Sequence, residues 1–204
     1  MESSLFQQAQ ETFIAEEAAK LFFAKSINEV TFKDLALHLG IGEATLYRRY
    51  TNKYNLVLSV AAVLQKKVFS QFFPDVKAAT GYRQLETFYL TFLKIFDEEP
   101  GYYKFIGEFD AYIINNSRDN LANYEEGINV FKKAFDEAYA LGLKDGTVKE
   151  IEDVDCFYFS TTHALLGLCK KLASQNVLIQ DYRLDKSKEV KVLIDTILLR
   201  IREN

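Results

Sequence analysis

Histidine, proline and cysteine occur only twice each in the 204 residues, and tryptophan not at all. Two prolines, with few Asn-Gly or Gly-Gly pairs, leave too little turn chemistry for a many-stranded fold. With His38 and His163 as the only imidazoles, a metal centre or a triad built on histidine has almost no material. Cys156 and Cys169 are too few for a disulfide framework. On one helix they would lie about 20 Å apart, beyond the reach of a disulfide. No stretch approaches the roughly 18 unbroken apolar residues of a membrane span. The opening Met1-Glu2-Ser3-Ser4 lacks the basic start of a secretory signal. A soluble, cytoplasmic protein with reduced thiols, bound to no membrane, is expected. The sequence also holds no nucleophile–base pair, metal-ligand spacing or phosphate-binding glycine loop. An enzyme is therefore not expected, nor any cofactor or metal.

What is present is apolar and aromatic: 49% hydrophobic residues and 14% aromatics, with a formal charge of −4. A chain of this length buries roughly 70% of its unfolded surface, enough for one core or two small ones. Apolar residues recur at three- and four-residue spacing nearly throughout, which predicts an all-α protein of about nine helices. The first runs from about Leu5 to Lys25, with Phe13, Ile14, Ala18, Leu21 and Phe22 on one side. Thr31-Phe32-Lys33-Asp34 resembles a capping box and opens a short second helix, with Leu35, Ala36 and Leu39 inward. Gly40 supplies the left-handed residue that ends it. A third helix spans Glu43 to Tyr50, and Asn52 caps a long fourth that Pro74 ends. Later helices are expected at about Tyr82–Glu99, Pro100–Asn115, Asn120–Leu143, Asp153–Ser174 and Lys186–Arg202. Residues 1–52 read as an N-terminal three-helix domain. Residues 53–204 read as a C-terminal helical domain joined to it by the connecting helix at about 53–73.

Charge differs along the chain. Residues 1–73 carry 8 Lys/Arg and 7 Asp/Glu, whereas residues 74–204 carry 17 and 22. Between positions 43 and 67, Arg48, Arg49, Lys53, Lys66 and Lys67 face only Glu43. Alone, such a run describes a solvated helix face as well as a nucleic-acid footprint. Its setting is more telling. Two short helices joined by Gly40-Ile41-Gly42 form a helix-turn-helix, clamped by Leu35, Leu39, Ile41 and Leu46. The outer face of the second offers Glu43, Ala44, Thr45, Tyr47, Arg48 and Arg49, the short, hydroxylated or cationic side chains a helix in a major groove needs.

The run Ile14…Ala18…Leu21-Phe22, Thr31…Leu35-Ala36…Leu39-Gly40-Ile41, Thr45-Leu46-Tyr47…Tyr50…Lys53…Leu56 resembles the DNA-binding domain of the TetR family of transcriptional regulators. The resemblance covers about the first 60 residues. It implies that Thr31 holds a phosphate at the start of the second helix. It further implies that Tyr47 and Lys53 grip the DNA backbone, and that Ala44, Thr45 and Arg48 meet base edges, Arg48 on a guanine. Lys33 and Arg49 are assigned to phosphates, and Tyr50 to the core. Three departures stand out. Ser26 occupies a turn where the family commonly has glycine, and Gly42 a position where a capping Ser or Thr is usual. Glu11, Glu16 and Glu17 lie in the first helix, where basic residues often approach DNA.

Dimer and ligand residues are read from the C-terminal pattern. Tyr158, Thr161, Leu165, Leu168 and Leu172 follow a four-three repeat, beside a small-residue stripe of Ser160, Ala164 and Gly167. The last helix is apolar on too wide an arc for one buried face, and Leu193, Ile194, Ile197, Leu198 and Ile201 are expected to meet a second copy. A homodimer would set two recognition helices on successive major grooves of a palindromic operator on double-stranded DNA. Ten aromatics lie between residues 82 and 112. Phe88, Tyr89, Phe92, Phe96, Tyr103, Phe109 and Tyr112, with Glu108 and His163, are the candidate pocket for a small-molecule effector, hydrophobic, aromatic or cationic. The combined expectation is a ligand-released repressor. An all-helical small-molecule- or lipid-binding protein without a DNA role is the alternative.

Overall fold

The computed structural model describes residues 2–73, 80–116, 121–174 and 184–203. Nine helices succeed one another among them: α1 (Glu2–Ala24), α2 (Phe32–Leu39), α3 (Glu43–Tyr50), α4 (Lys53–Phe72), α5 (Gly81–Glu98), α6 (Pro100–Asn115), α7 (Ala122–Asp145), α8 (Val154–Ala173) and α9 (Lys186–Ile201). The only β pairing among the described residues is an isolated bridge between Val148 and Arg202. The chain is all-α, as its periodicity predicts. Pro74, expected to end α4, lies outside the described residues. Among those described, no helix is long and apolar enough to cross a membrane.

Local chemistry sets the helix boundaries. The Thr31 hydroxyl accepts the Asp34 N–H while the Asp34 carboxylate accepts the Thr31 N–H at 2.8 Å, so the capping box forms with aspartate in place of glutamate. Gly40 closes α2 at φ 65°, in the left-handed region. Gly42 offers α3 no side-chain cap. Asn52 Oδ1 accepts the Asn55 N–H at 2.9 Å and starts α4. Thr80, Asp153 and Asp185 cap α5, α8 and α9 in the same way.

The α3–α4 junction is strained. Thr51 sits at φ 66° and ψ −42°, and the Asn52 N–H donates to the Tyr50 carbonyl at 2.7 Å. This is the positive-φ form of the γ-turn, which a β-branched residue adopts only at a cost of about 1–3 kcal/mol. Thr51→Gly is therefore expected to stabilise the protein by about 1 kcal/mol, after allowing for glycine's greater unfolded-state freedom. Denaturant midpoints compared at equal slope check this.

The helices divide into two compact units, Met1–Lys67 with Lys104–Gly127, and Val68–Tyr103 with Ile128–Asn204. The unit holding the helix-turn-helix thus extends past residue 52 and takes in most of α6. In it, Ala18, Phe22, Val30, Leu35, Leu46, Leu56, Val57 and Val60 are buried together with Phe105 and Phe109. Helix α6 braces the end of α1. Lys104 Nζ donates to the Phe23 carbonyl at 3.0 Å, one of the acceptors a helix C-terminus leaves unpaired. Four residues on, the Glu108 carboxylate accepts the Ile27 N–H at 2.7 Å.

The second unit is built around the aromatic face of α5. Phe88 meets Phe92 at 5.8 Å and Phe135 at 5.7 Å, and Phe135 meets Tyr158 at 5.0 Å. The buried tyrosines are satisfied: Tyr89 Oη lies 2.8 Å from Thr161 Oγ1, and Tyr103 Oη donates to the Phe92 carbonyl at 3.0 Å. Burial pushes the Cys169 thiol up to about 12, leaving it protonated and inert. The turn after α7 ties three elements. Asp145 accepts the Gly81 N–H at 2.8 Å and Thr147 Oγ1 accepts the Tyr82 N–H at 3.1 Å, while the Lys149 N–H donates to the Ile201 carbonyl at 2.8 Å.

Candidate nucleic-acid interface

Helix α3 sorts its residues by face. Leu46 and Tyr50 are buried, while Glu43, Ala44, Thr45, Tyr47, Arg48 and Arg49 are all exposed. That is the division expected from spacing: the leucine and tyrosine lock the helix into its unit and leave the readable side chains to solvent. Tyr47 is 51% exposed, with its ring held edge-on to Phe32 at 4.6 Å. Arg48 and Lys33 are exposed and make no hydrogen bond or ion pair among the described residues.

The other expected DNA contacts are engaged within the protein. The Thr31 hydroxyl donates to the Asp34 carboxylate at 2.6 Å, so it serves the capping box and stands beside a negative charge. Hydrogen bonds from Thr31 hold that carboxyl below the usual range. Lys53 is half-buried. Its Nζ donates to the Asn28 carbonyl at 3.3 Å and lies 5.8 Å from the Tyr112 ring centre, and burial lowers its pKa. Arg49 reaches across to α1, Nη2 donating to the Gln7 carbonyl at 2.9 Å and Nη1 to Gln10 Oε1 at 3.3 Å. Sequence spacing carried no signal for these partners, which lie 25 and about 40 positions away. Two of the acidic residues of α1 are likewise occupied: Glu11 accepts from Ser59 Oγ, and Glu17 pairs with Lys20 and His38.

Tyr50 is core, as expected, but its buried hydroxyl has no hydrogen-bond partner among the described residues, and burial raises its pKa. An unpaired buried hydroxyl costs about 1–3 kcal/mol. Tyr50→Phe should therefore raise stability by about 1 kcal/mol, read as a higher denaturant midpoint without loss of helical signal.

Residues 14–60, which run from the middle of α1 to the first turns of α4, match the family described as bacterial regulatory proteins, tetR family. These residues form a DNA-binding domain of the TetR family. No curated protein matches it. Solved structures share the fold along nearly the whole length. A protein from Saccharomonospora viridis, described as a transcriptional regulator in complex with choline, is 18% identical over 97% of this chain and 100% of its own, with a TM-score of 0.74. The TetR family transcriptional regulator PfmR from Thermus thermophilus is 20% identical over 91% of this chain and 97% of its own, with a TM-score of 0.68. The ketosteroid transcriptional regulator KstR2 of Mycobacterium tuberculosis is 14% identical over 96% of each chain, with a TM-score of 0.67.

Outside the TetR-family domain the structure redistributes the expected residues. Phe88, Tyr89, Phe92, Phe96 and Tyr103 are buried in the second unit, whereas Glu108, Phe109 and Tyr112 belong to the first. Glu108 is bound to the α1–α2 turn and is not a free acid for a ligand. His163 is exposed on α8, 5.8 Å from the Phe159 ring. The nine candidates are thus distributed over both units. The residues expected to meet a second copy divide by burial as well. Tyr158, Leu165 and Leu172 on α8, and Ile194, Ile197, Leu198 and Ile201 on α9, fill the chain's own core; Thr161, Leu168 and Leu193 are half-buried. Only Ala164 of that set is exposed, in line with Ser160 and Gly167. The apolar excess of α9 is nonetheless two-sided, with Val192 57% and Leu199 73% exposed.

Proposed function

We propose that the protein is a homodimeric repressor that binds a palindromic operator and is released by a small effector. The observation that carries the DNA half of this reading is α3 itself: Ala44, Thr45, Tyr47 and Arg48 stand exposed on a helix whose opposite face is locked by Leu46 and Tyr50. Two such helices related by a two-fold axis reach successive major grooves about 34–36 Å apart. The partner copy would cover Phe159, Ser160, Ala164 and Gly167 of α8 with Val192 and Leu199 of α9, since these are the exposed apolar and small residues the two helices offer.

Effector release would work by population shift: a ligand binding one conformer better than the other changes the separation of the recognition helices. Helices α4, α6 and α7 each run through both compact units, which gives such a change continuous elements to act through. The aromatic second unit favours a small, mainly apolar molecule. Choline, found in one solved structure of the same fold, is the first compound to titrate.

Selection of bound fragments from a random duplex library, at two salt concentrations, tests this reading. An enriched palindrome whose binding weakens with salt supports it. No enrichment from a folded dimer that had been refolded free of ligand would favour the ligand-binding protein without a DNA role. Operator affinity unmoved by any apolar or cationic compound would remove the effector half alone.

A further inference from the structure

Arg49 stands on the recognition helix, yet its guanidinium is turned away from the face that carries Arg48. It holds the Gln7 carbonyl at 2.9 Å and Gln10 Oε1 at 3.3 Å, both on α1. Elsewhere α1 is fixed to its unit by apolar packing through Ile14, Ala15, Ala18, Ala19 and Phe22, all buried. Nearer its start, the described residues Gln7, Ala9 and Gln10 are exposed. An open groove of 430 Å³ separates α1 from α3 here, lined by Ala9, Phe13, Ile14, Leu39, Ile41 and Thr45. Phe13, expected on the inner side of α1, is instead 57% exposed at its rim. The Arg49 hydrogen bonds bridge the two helices beside that groove. Arginine suits the task because its planar fork can hold two acceptors at once.

We propose that Arg49 is a positioning residue for DNA reading: it clasps α3 to the first turns of α1 and so sets the angle at which Thr45 and Arg48 enter the groove, and it grips no phosphate. The proposal rests on the DNA-binding reading above. A phosphate contact and a clasp have different salt signatures. Losing one phosphate contact flattens the plot of log affinity against log salt by about one unit, because fewer counterions are released. Losing a clasp lowers affinity without changing that slope.

The test uses the full chain and the duplex enriched by selection. Arg49→Gln is expected to weaken binding about fivefold at every salt concentration with the slope retained. Gln10→Ala, which changes no charge and leaves α3 untouched, should weaken it about twofold in the same manner. Both should speed amide hydrogen exchange in α3 and the first turns of α1, a readout that needs no DNA. Thermal melts confirm that the compared proteins are folded. A slope flatter by about one unit in Arg49→Gln would overturn the proposal in favour of a phosphate contact. Unchanged affinity, or unchanged exchange, would overturn it too. A wild-type chain that binds no duplex would instead defeat the DNA reading, and the exchange comparison would still decide whether the clasp exists.

Discussion

Gly81→Ala should destabilise the second unit by about 3 kcal/mol or more, lowering its melting temperature by roughly 6–12 °C. The cause is a close approach of backbone to backbone. A Cβ built on Gly81 would lie 2.0 Å from the Gly142 N and 2.6 Å from the Ala138 carbonyl oxygen. No rotamer change relieves a clash with main chain, so α5 and α7 must separate. Separation would stretch the Asp145 cap on the Gly81 N–H and the Thr147 bond to the Tyr82 N–H, which hold the start of α5. Gly142→Ala offers the internal control. Its Cβ would meet Val148 side-chain atoms at 2.3 and 2.7 Å, and a side chain can be trimmed. Val148→Ala should recover part of the loss in Gly142→Ala and none of it in Gly81→Ala. Calorimetry on the single and double variants checks both statements; equal rescue in the two backgrounds would refute the backbone argument.

The features legible in the sequence are those whose partners are close in the chain. Thr31 and Asp34 cap one another three residues apart, Gly40 turns the chain where the apolar pattern stops, and Leu46 and Tyr50 point inward at a spacing of four. Local geometry alone dictates these, and the recognition face of α3 follows because its inner residues are so clear. What was illegible depends on docking. Glu108 looks like a ligand acid inside an aromatic stretch, but its partner is the Ile27 N–H, 81 positions away. Lys53 fits a phosphate position by motif while its ammonium rests on Asn28 and Tyr112. On α8, Leu165 and Ala164 are neighbours in sequence, and only the packing against α5 and α9 decides that the leucine goes inward and the alanine outward. Periodicity shows that α9 is apolar on two sides. It does not say which side meets the chain's own core.

The second large effect concerns Arg48, the exposed cation of α3 that none of the described residues engages. Arginine in a major groove pairs bidentately with the O6 and N7 acceptors of guanine, a contact worth about 1–3 kcal/mol of discrimination. Arg48→Ala should therefore lose about 1–3 kcal/mol of binding to the selected operator while leaving affinity for random duplex nearly unchanged, so that preference collapses at one base pair per half-site. Arg48→Lys separates geometry from charge. It keeps the cation but not the planar fork, and should retain the electrostatic part of affinity while losing most of the discrimination. Thr31, with its hydroxyl on Asp34, should show the reverse pattern: Thr31→Ala costs about 1 kcal/mol of stability through the lost cap and leaves base preference intact. Competition against single-base operator variants measures all three. If Arg48→Ala weakens operator and random duplex by the same factor, Arg48 contacts backbone and base discrimination passes to Ala44 and Thr45, the remaining short side chains on the exposed face of α3.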